Sequence, residues 1–388
     1  MRIIHFADIH IGVELYGKID NSTQLNTRLL DFEESLSFVI DTAIKEKVDL
    51  AIFAGDGYKN HTPTPTYQQI LARQIRRLNN ANIPLVGVVG NHDIPSSSYK
   101  ASSLDVFSLL GDNTYILSHP KLLRLQTKSG PIQIGCIPWL PNISLRYLQE
   151  ILAEFEASRN FEEIGILLSH ISLSEATLSG SERSISIGVD FTAPSKLFNS
   201  TTYDYIALGH IHKFQDLNKG HRPPIVYSGS IDYIDFGEAK EQKGFCLIDI
   251  TKYGETKYKF IHTPTRKLVD IEIKIHNNQL TPTKQILQEI EKHFIKDCIV
   301  RVTISNLIEG IEIDFDKIIK TLDSAHYLAG IITEYNTPNI TRTTLTEKSS
   351  YEESVDSFLN DKKDWVNKDK VKQIAITMKN NLLEKGGL

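Results

Sequence analysis

Five short apolar runs in this chain each end in side chains that bind hard or borderline metal ions. Continuous aliphatic runs of this length are typical of β-strands that are covered on both faces. Catalytic groups of α/β proteins gather beyond the carboxyl ends of strands, so these strand ends are expected to meet. A single motif of this kind arises by chance, but five in order at strand ends indicate a metal site. In chain order the motifs are Asp8-Ile9-His10, Gly55-Asp56, Gly90-Asn91-His92-Asp93, Ser169-His170 and Gly209-His210-Ile211-His212.

The hydrophobic pattern predicts a mixed α/β fold. Strands and helices alternate in the first 90 residues, which is typical of layered α/β proteins. The later strands have few helices between them, which predicts a second sheet packed on the first. The predicted strands are 2–6, 49–54, 84–89, 132–137, 164–168, 203–208, 225–228, 244–250 and 257–262, and the predicted helices are 25–47, 67–81 and 144–158.

A change of composition near Thr263-Pro264-Thr265 predicts a domain boundary. Before it, residues 1–264 would form the main domain; after it, alternating strands and helices predict a small α+β capping domain over 265–337. Residues 338–388 are predicted to be a linker and a helical tail whose two short apolar faces could not fold alone. These faces consist of Tyr351, Val355, Phe358 and Leu359, and of Val371, Ile374 and Met378.

The composition is that of a globular protein, with 40% apolar and 23% charged residues among 388. A net charge of −5 argues against a nonspecific DNA coat, although it leaves room for a local positive site. The three cysteines lie far apart in apolar runs, which excludes a Cys-x-x-Cys metal site and predicts reduced, buried thiols. No apolar run is long enough to cross a bilayer, and the chain enters a strand directly, so we expect a cytoplasmic protein without a membrane anchor.

The five motifs together resemble the calcineurin-like metallophosphoesterases. Within that family the chain looks most like the SbcD-type nuclease subunits of the SbcC–SbcD complex, which acts in DNA double-strand-break repair. This closer resemblance covers nearly the whole chain and also includes Tyr227-Ser228-Gly229-Ser230, Phe236-Gly237-Glu238 and Lys243-Gly244-Phe245. It implies a two-sheet αββα sandwich with a small α+β capping domain and a helical C-terminal tail.

The resemblance also implies a site for two divalent metal ions. Such a pair, about 3.5–4 Å apart, can clamp a phosphodiester and activate a water for in-line attack. Nitrogen and oxygen ligands without thiolate suit Mn²⁺, although zinc, iron or cobalt would also bind. By the family pattern one ion takes Asp8, His10, Asp56 and His212, and the other takes Asp56, Asn91, His170 and His210.

Two residues of the third motif are expected to have catalytic roles. His92 is not a ligand in the family pattern, and it can contact the phosphate and protonate the leaving oxygen. Asp93 is expected to hydrogen-bond to His92 and orient it.

His5 stands outside the ligand pattern, within the first strand, and is expected to be structural.

The implied activity is that of a manganese-dependent exonuclease and endonuclease that processes duplex or hairpin DNA ends. Its implied partner is an SbcC-like ABC-type ATPase, on which the tail would dock; alternatively, the tail packs on its own domain. A homodimer associated with the nucleoid is also implied. DNA contacts are expected to go mostly to phosphates, because an end-processing nuclease does not need to recognise bases. The candidates are Lys18, Arg28, Lys59, His61, Arg183, Lys213, Lys219 and Arg222.

One segment departs from the nuclease pattern, Asp56-Gly57-Tyr58-Lys59. That branch usually has an apolar–aromatic pair after the aspartate and then often a histidine, so the balance between exonuclease and endonuclease action stays open. Gly57 is expected to add backbone freedom. Two other functions also stay open: a small-molecule phosphodiesterase or phosphatase with the same site, and a noncatalytic DNA-end tether. The added domain and tail argue against the first, and the complete ligand set argues against the second.

Overall fold

The computed structural model contains two six-stranded mixed sheets and one three-stranded sheet. It describes residues 1–95, 100–180, 191–199, 202–251, 255–276, 281–308, 312–335, 355–356, 359 and 368–384, without the side chains of 380–384.

The first sheet carries the N-terminal half of the predicted site. Its strands are β1 (Arg2–Phe6), β2 (Leu50–Phe53), β3 (Leu85–Val88), β4 (Thr114–Leu117), β13 (Gly244–Ile250) and β14 (Thr256–His262). Their order is β14-β13-β1-β2-β3-β4. The four strands from β1 to β4 are parallel, so their carboxyl ends lie at one edge of the sheet.

The second sheet carries the other half of the site. Its strands are β5 (Lys121–Thr127), β6 (Gly130–Ile137), β7 (Ile164–His170), β10 (Tyr205–Gly209), β11 (Gln215–Asp216) and β12 (Ile225–Tyr227). Their order is β11-β12-β10-β7-β6-β5, and β6, β7, β10 and β12 run parallel. A short pair, β8 (Ser172–Leu173) and β9 (Thr192–Ala193), follows β7.

Three helices cover the outer faces of these sheets. They are α1 (Thr27–Lys45), α2 (Pro65–Asn80) and α3 (Leu145–Ser158). Side chains of Asn26, Thr64 and Ser144 accept a main-chain N–H of the first turn, which explains where each helix begins. Pro65 at the first position of α2 has no N–H to satisfy.

The cores follow from the alternation of side chains along each strand. Ile4 packs with the α1 and α2 side chains, whereas its neighbour Ile3 faces the second sheet and packs with Ile166 and Leu168. Helix α3 covers the far side of the second sheet with Phe155 and its apolar neighbours. The layers are therefore helix, sheet, sheet and helix, and the predicted αββα sandwich is confirmed.

Residues after 264 form the third sheet, with β15 (Leu268–Lys274), β16 (Ile299–Leu307) and β17 (Tyr327–Tyr335). Two helices accompany it, α4 (Pro282–Ile290) and α5 (Phe315–Thr321). Most of this sheet belongs to the same compact unit as the two large sheets. The domain boundaries at 264 and 337 stay predictions.

The tail contributes one described helix, α6 (Lys368–Glu384), to a second compact unit. Ile374 and Met378 are exposed on it. Half of the other predicted apolar face, Tyr351 and Phe358, lies outside the described residues. Among the residues that the structure describes, no helix combines the length and apolar character that crossing a bilayer requires.

Candidate metal centre

The five strand ends meet where the carboxyl ends of β1, β2, β3, β7 and β10 face one another across the two sheets. All five motifs lie at this edge, because each directly follows or ends one of these parallel strands. Ligand atoms of three overlapping groups lie within 4.8 Å of one another. The groups are Asp8, His10 and His212; His10, Asp56 and His92; and Asp8, Asp56 and His170.

The backbone is left-handed at four of the predicted ligands. Asp8, His10 and Asp56 have φ values of 51°, 49° and 59°, and His210 has 95°. Such values are uncommon outside glycine and concentrate at functional sites. Asp8-Ile9-His10 is therefore a loop and not an extended continuation of β1. Main-chain bonds from Ile9 and His10 to the Asp56 carbonyl, at 2.8 and 3.1 Å, hold the strained loop against its neighbour.

Glycines precede the ligands because the strand ends approach one another too closely for a side chain. A Cβ at Gly90 would lie 2.0 Å from Asp56 Oδ1, and a Cβ at Gly55 would lie 2.4 Å from His170 Nδ1. The first contact joins the ends of two neighbouring strands of the first sheet, and the second joins the first sheet to the second. The Gly-Asp and Gly-Asn-His-Asp patterns in the sequence therefore reflect close packing around the ligands.

His170 sits between a main-chain carbonyl and two acceptor oxygens. Its Nδ1 donates to the Ala54 carbonyl at 2.7 Å, which leaves a lone pair on Nε2 in the neutral ring. That Nε2 lies 3.0 Å from Asn91 Oδ1 and 3.5 Å from Asp56 Oδ2. Asn91 Oδ1 is also 3.1 Å from His210 Nδ1. The four side chains point ligand atoms at a common space.

His10 and His212 form the opposite side of the cluster. Their Nε2 atoms are 3.1 Å apart, and His10 Nε2 is 3.7 Å from Asp56 Oδ2. His212 Nδ1 bonds Glu238 Oε1 at 2.7 Å, and Lys243 pairs with the other oxygen of that carboxylate at 2.8 Å. Glu238 and Lys243 occur in segments that carry the nuclease resemblance, but neither was predicted to be part of the site, because neither follows an apolar strand.

Asp93 has a different role from the predicted one. Its carboxylate accepts the main-chain N–H groups of Asp56 and Gly90 at 2.9 Å and that of Gly57 at 3.0 Å. His92 Nδ1 instead lies 2.9 Å from the Lys59 carbonyl oxygen. The expectation that Asp93 orients the His92 ring is wrong, because Asp93 holds the loop that carries Asp56.

His92 lies at the edge of the cluster. Its main-chain N–H donates to Asp56 Oδ1 at 2.9 Å, and its ring stands edge-on to that of His10 with centroids 4.9 Å apart. The residue is partly exposed, whereas His10 and His170 are buried. With Nδ1 donating to Lys59, the other ring nitrogen is free to meet a substrate or an ion. His92 also lies close enough to Asp56 and His10 to serve as a ligand.

Burial and mutual charges shift the pKa values of this cluster. Burial raises the pKa of Asp8 to about 6, although His170 and His212 favour its carboxylate form. Burial also disfavours the charged form of His170, but the carboxylates of Asp56 and Asp8 outweigh it and raise the pKa of His170 to about 9. Burial lowers the pKa of His10 well below its usual value. Positive charge is therefore stabilised between the two carboxylates, where a cation would bind.

The donor set fits divalent ions. Asp8 and Asp56 are buried, and within the described part of the chain neither makes an ion pair with Lys or Arg. Buried carboxylates without a cation are costly, and here several nitrogen lone pairs converge on the same oxygens. Imidazole nitrogens with carboxylate and amide oxygens suit manganese, zinc or iron.

The predicted DNA-contact residues differ in their exposure to solvent. Lys18, His61, Lys219 and Arg222 are exposed, and Lys59 and Lys213 are partly exposed. Arg183 lies outside the described residues. Among the described candidates, Arg28 alone is buried.

Arg28 is 1% exposed and cannot reach DNA in this fold. Its guanidinium pairs with Asp31 at 2.9 Å and with Asp232 at 3.2 Å, and it donates to the Tyr233 carbonyl at 2.6 Å. Its prediction as a DNA contact is wrong. A buried guanidinium with two carboxylate partners joins α1 to the segment before β13.

The unusual Gly57-Tyr58 pair is part of the core. The backbone of Gly57 is not left-handed, so the predicted gain of backbone freedom is not its role. A Cβ there would lie 2.9 Å from Leu104, so the residue is small for lack of space. Tyr58 is fully buried in the cluster beneath α1 and α2. Gly57 and Tyr58 therefore pack the loop that carries Asp56 against the core.

A two-sheet sandwich with carboxylate, amide and imidazole ligands at facing strand ends is the framework of a metal-dependent phosphoesterase, a class of hydrolase. The chain belongs to the calcineurin-like phosphoesterase family, whose model matches residues 1–214. That match includes every predicted metal ligand, and the family resemblance seen in the sequence is confirmed.

Curated relatives lie in the nuclease branch of this family. The chain is 26% identical to the SbcD component of the SbcCD nuclease of Staphylococcus epidermidis, over 70% of its own length and 72% of the relative's. It is 28% identical to "DNA double-strand break repair protein Mre11" of Sulfurisphaera tokodaii, over 75% of its length and 68% of the relative's. The Mre11 protein of Methanococcus maripaludis is 26% identical, with 79% of each chain covered.

Proposed function

We propose that this protein is a DNA-repair nuclease that hydrolyses phosphodiesters at DNA ends with two divalent ions, with Mn²⁺ as the preferred metal. The observation that carries the proposal is the cluster of seven ligand side chains beside a partly exposed His92. The names of the curated relatives supply the substrate class, because one is a nuclease subunit and another is a DNA double-strand break repair protein. Each match covers two thirds or more of both chains. Both exonuclease and endonuclease action are included.

The residues divide the work between binding ions and handling the phosphate. Asp8, His10, Asp56 and His212 would hold one ion, and Asp56, Asn91, His170 and His210 the other. When bound, such ions clamp phosphate oxygens and favour deprotonation of the attacking water.

His92 would deliver the proton to the leaving oxygen. Its Nδ1 is held by the Lys59 carbonyl, so the ring presents Nε2 at the open edge of the cluster. Burial lowers the pKa of His92, and the negative charge of a bound phosphodiester would raise it again. Asp93 acts indirectly, by holding the loop of Asp56.

The test is Mn²⁺-dependent cleavage of end-labelled duplex and hairpin DNA, with and without the ATPase partner. His92→Ala should lower the cleavage rate by about 10²- to 10⁴-fold, the usual contribution of a general acid, while Mn²⁺ binding is kept. His119→Ala is the matched control, because His119 is an exposed histidine between β4 and β5. Failure of the wild type to cut DNA under either condition would reject the nuclease assignment.

The same assay separates the two rival functions. A small-molecule phosphodiesterase or phosphatase would turn over a nucleotide ester and leave DNA intact. A noncatalytic tether would bind DNA ends and hydrolyse neither substrate. Neither rival has a specific observation in its favour, because the ligand set is complete and the curated relatives carry nuclease or break-repair names.

DNA phosphates would be contacted by the exposed or partly exposed side chains of Lys18, Lys59, His61, Lys213, Lys219 and Arg222, and by Arg183. Each lost phosphate contact should reduce the slope of log affinity against log salt by about one. A combined Lys213→Ala, Lys219→Ala and Arg222→Ala variant that binds duplex DNA with the wild-type slope would contradict this set.

An SbcC-like ABC-type ATPase is the proposed partner, with the tail as its docking segment. The exposed Ile374 and Met378 on α6 support this assignment. Truncation at Thr337 should abolish ATPase binding, and retained binding would show that the tail packs elsewhere. We also propose a homodimer through the N-terminal helices, measurable as a doubled mass by light scattering, and a cytoplasmic, nucleoid-associated location.

A further inference from the structure

A buried carboxylate lies directly behind His212, on the side of the ring away from the ion cluster. Glu238 Oε1 is 2.7 Å from His212 Nδ1. Its other oxygen accepts from Lys243 Nζ at 2.8 Å and from the main-chain N–H of Ile234 at 2.9 Å. Three donors thus fix the position of a side chain that is 0% exposed. The carboxylate has no freedom to turn away from His212.

Lys243 keeps this carboxylate ionised. Its ammonium is buried and donates to Glu238, to Glu241 at 3.0 Å and to the His212 carbonyl at 3.2 Å. All three N–H donors of the ammonium therefore have acceptors. Lys243 holds His212 from two directions, through its main-chain carbonyl and through the carboxylate that bonds its ring.

The chain is shaped locally to place Glu238 there. Phe236–Glu238 forms a 3₁₀ turn, and the Asp235 side chain caps it by accepting the Gly237 N–H at 2.7 Å. A Cβ on Gly237 would lie 2.6 Å from the Cα of Gly180, so the turn packs backbone against backbone. Because this turn is tightly packed and capped, it fixes the main-chain position from which the Glu238 side chain extends.

An ionised carboxylate only accepts hydrogen bonds, so the proton of the neutral His212 ring resides on Nδ1. Nε2 then carries the lone pair, and it is Nε2 that lies 3.1 Å from His10 Nε2 within the cluster. The buried Glu238–Lys243 ion pair is weak evidence for a stabilising role, because two apolar side chains in place of a buried ion pair often stabilise a fold equally or more. A carboxylate behind a ligating histidine fixes its tautomer and increases its basicity.

We propose that Glu238, held by Lys243, is a positioning residue of the metal centre that locks His212 with Nε2 toward the ion bound by Asp8 and His10. The inference rests on the proposed function, because it requires that this cluster binds ions. It predicts that one of the two ion sites depends on a charge that touches no ion and no substrate.

The test measures Mn²⁺ binding to the full chain by calorimetry, without DNA. Glu238→Gln removes the charge and keeps the shape, and it should weaken binding of one ion by about 10- to 100-fold while the other binds as in the wild type. Glu241→Gln is the matched control. Its carboxylate accepts from the same ammonium and from Ser179, not from the His212 ring, so affinity for both ions should stay within about twofold.

A second variant separates positioning from folding. Glu238→Gln leaves the buried Lys243 with one carboxylate fewer, which could lower the unfolding temperature by itself. The double variant Glu238→Gln/Lys243→Met removes both charges, so its unfolding temperature in chelator should recover. Its Mn²⁺ affinity should stay as low as that of Glu238→Gln, because the carboxylate behind His212 is still missing.

The outcomes separate the inference from the function on which it rests. Two ions bound by Glu238→Gln with wild-type affinity would overturn the inference alone. Recovery of affinity in the double variant would also overturn it, since the charge pair would then act only on folding. Failure of the wild type to bind divalent ions would refute the metal centre, and the inference with it.

Discussion

His170 and His212 approach the metal centre from adjacent segments of the second sheet, but they are held from behind in different ways. Each ring has its Nδ1 atom 2.7 Å from an oxygen. For His170 that oxygen is the main-chain carbonyl of Ala54, whereas for His212 it is the side chain of Glu238. We call the first arrangement the main-chain-held half and the second the charge-held half.

This difference separates what the fold fixes from what the sequence can adjust. The Ala54 carbonyl lies at the end of β2, so no substitution of Ala54 removes it, and His170 is oriented as soon as the two sheets pack. The carboxylate behind His212 depends on two particular side chains, Glu238 and Lys243. The charge-held half can therefore be weakened by changing the side chain that bonds the His212 ring, whereas no change of the Ala54 side chain removes the acceptor of His170.

The largest effect is expected from Asp93→Ala. Asp93 accepts three buried main-chain N–H groups at 2.9–3.0 Å, and each would lose its acceptor. Since each such loss costs about 1–3 kcal/mol, the free energy of unfolding should fall by about 3 kcal/mol or more. Binding of both ions should weaken, because the loop carries Asp56. Urea unfolding in chelator and Mn²⁺ calorimetry measure the two effects.

Asp49→Ala is the control for this prediction. Asp49 lies at the opposite end of β2 and accepts the Arg2 N–H and the Ser129 hydroxyl, both at 2.7 Å. It should lower stability but leave Mn²⁺ affinity unchanged. If Asp93→Ala also bound Mn²⁺ normally, the loop would not depend on main-chain hydrogen bonding, and the comparison between the two halves would fail.

The ligands could be predicted from the sequence because each follows an apolar run at a strand end. The strands that were missed, such as Lys121–Thr127 at the edge of the second sheet, mix polar and apolar residues. Edge strands are half exposed and carry no continuous apolar run. The central strands, which position the ligands, could therefore be recognised from the sequence, whereas β14 is the only edge strand of the two large sheets that was predicted.

The supports of the ligands could not be predicted. Glu238 is 26 residues from His212 along the chain, and only the tertiary fold brings them together. Asp93 acts on main-chain N–H groups, which every residue except proline has and no sequence pattern marks. Arg28 looked like a solvent-exposed cation because its partner Asp232 is 204 residues away. Interactions between distant segments carry no local signal.

A smaller and more selective effect is expected from Gly55→Ala. Gly55 has a φ of +94°, and a Cβ there would lie 2.4 Å from His170 Nδ1. The ring must move off the Ala54 carbonyl, so binding of one ion should weaken at least about tenfold, a change of about 1.4 kcal/mol. The charge-held half should keep its ion. Two-site Mn²⁺ calorimetry distinguishes this result from the one expected for Glu238→Gln.

Gly130→Ala is the control for the effect of backbone strain alone. Gly130, the first residue of β6, has a φ of +121°, and a Cβ there would meet nothing within 4 Å. This variant should lose stability through strain and keep both ions. Equal loss of ion binding in the two glycine variants would mean that general destabilisation, rather than displacement of His170, weakens the site.

The smallest effect at neutral pH is expected from His5, a buried histidine that belongs to neither half. Its Nδ1 lies 3.2 Å from the Tyr205 hydroxyl, and burial lowers its pKa from 6.5 to about 3. The unfolded chain therefore binds a proton below pH 6.5 that the folded protein does not, and stability falls as the pH drops from 6.5 toward 3. By pH 5 the loss of unfolding free energy amounts to about 2 kcal/mol.

In chelator, His5→Leu should remove that part of the pH dependence of stability. His119→Leu, at an exposed position, should leave it intact. A His5→Leu protein with the wild-type pH profile would show that burial does not lower the pKa of His5.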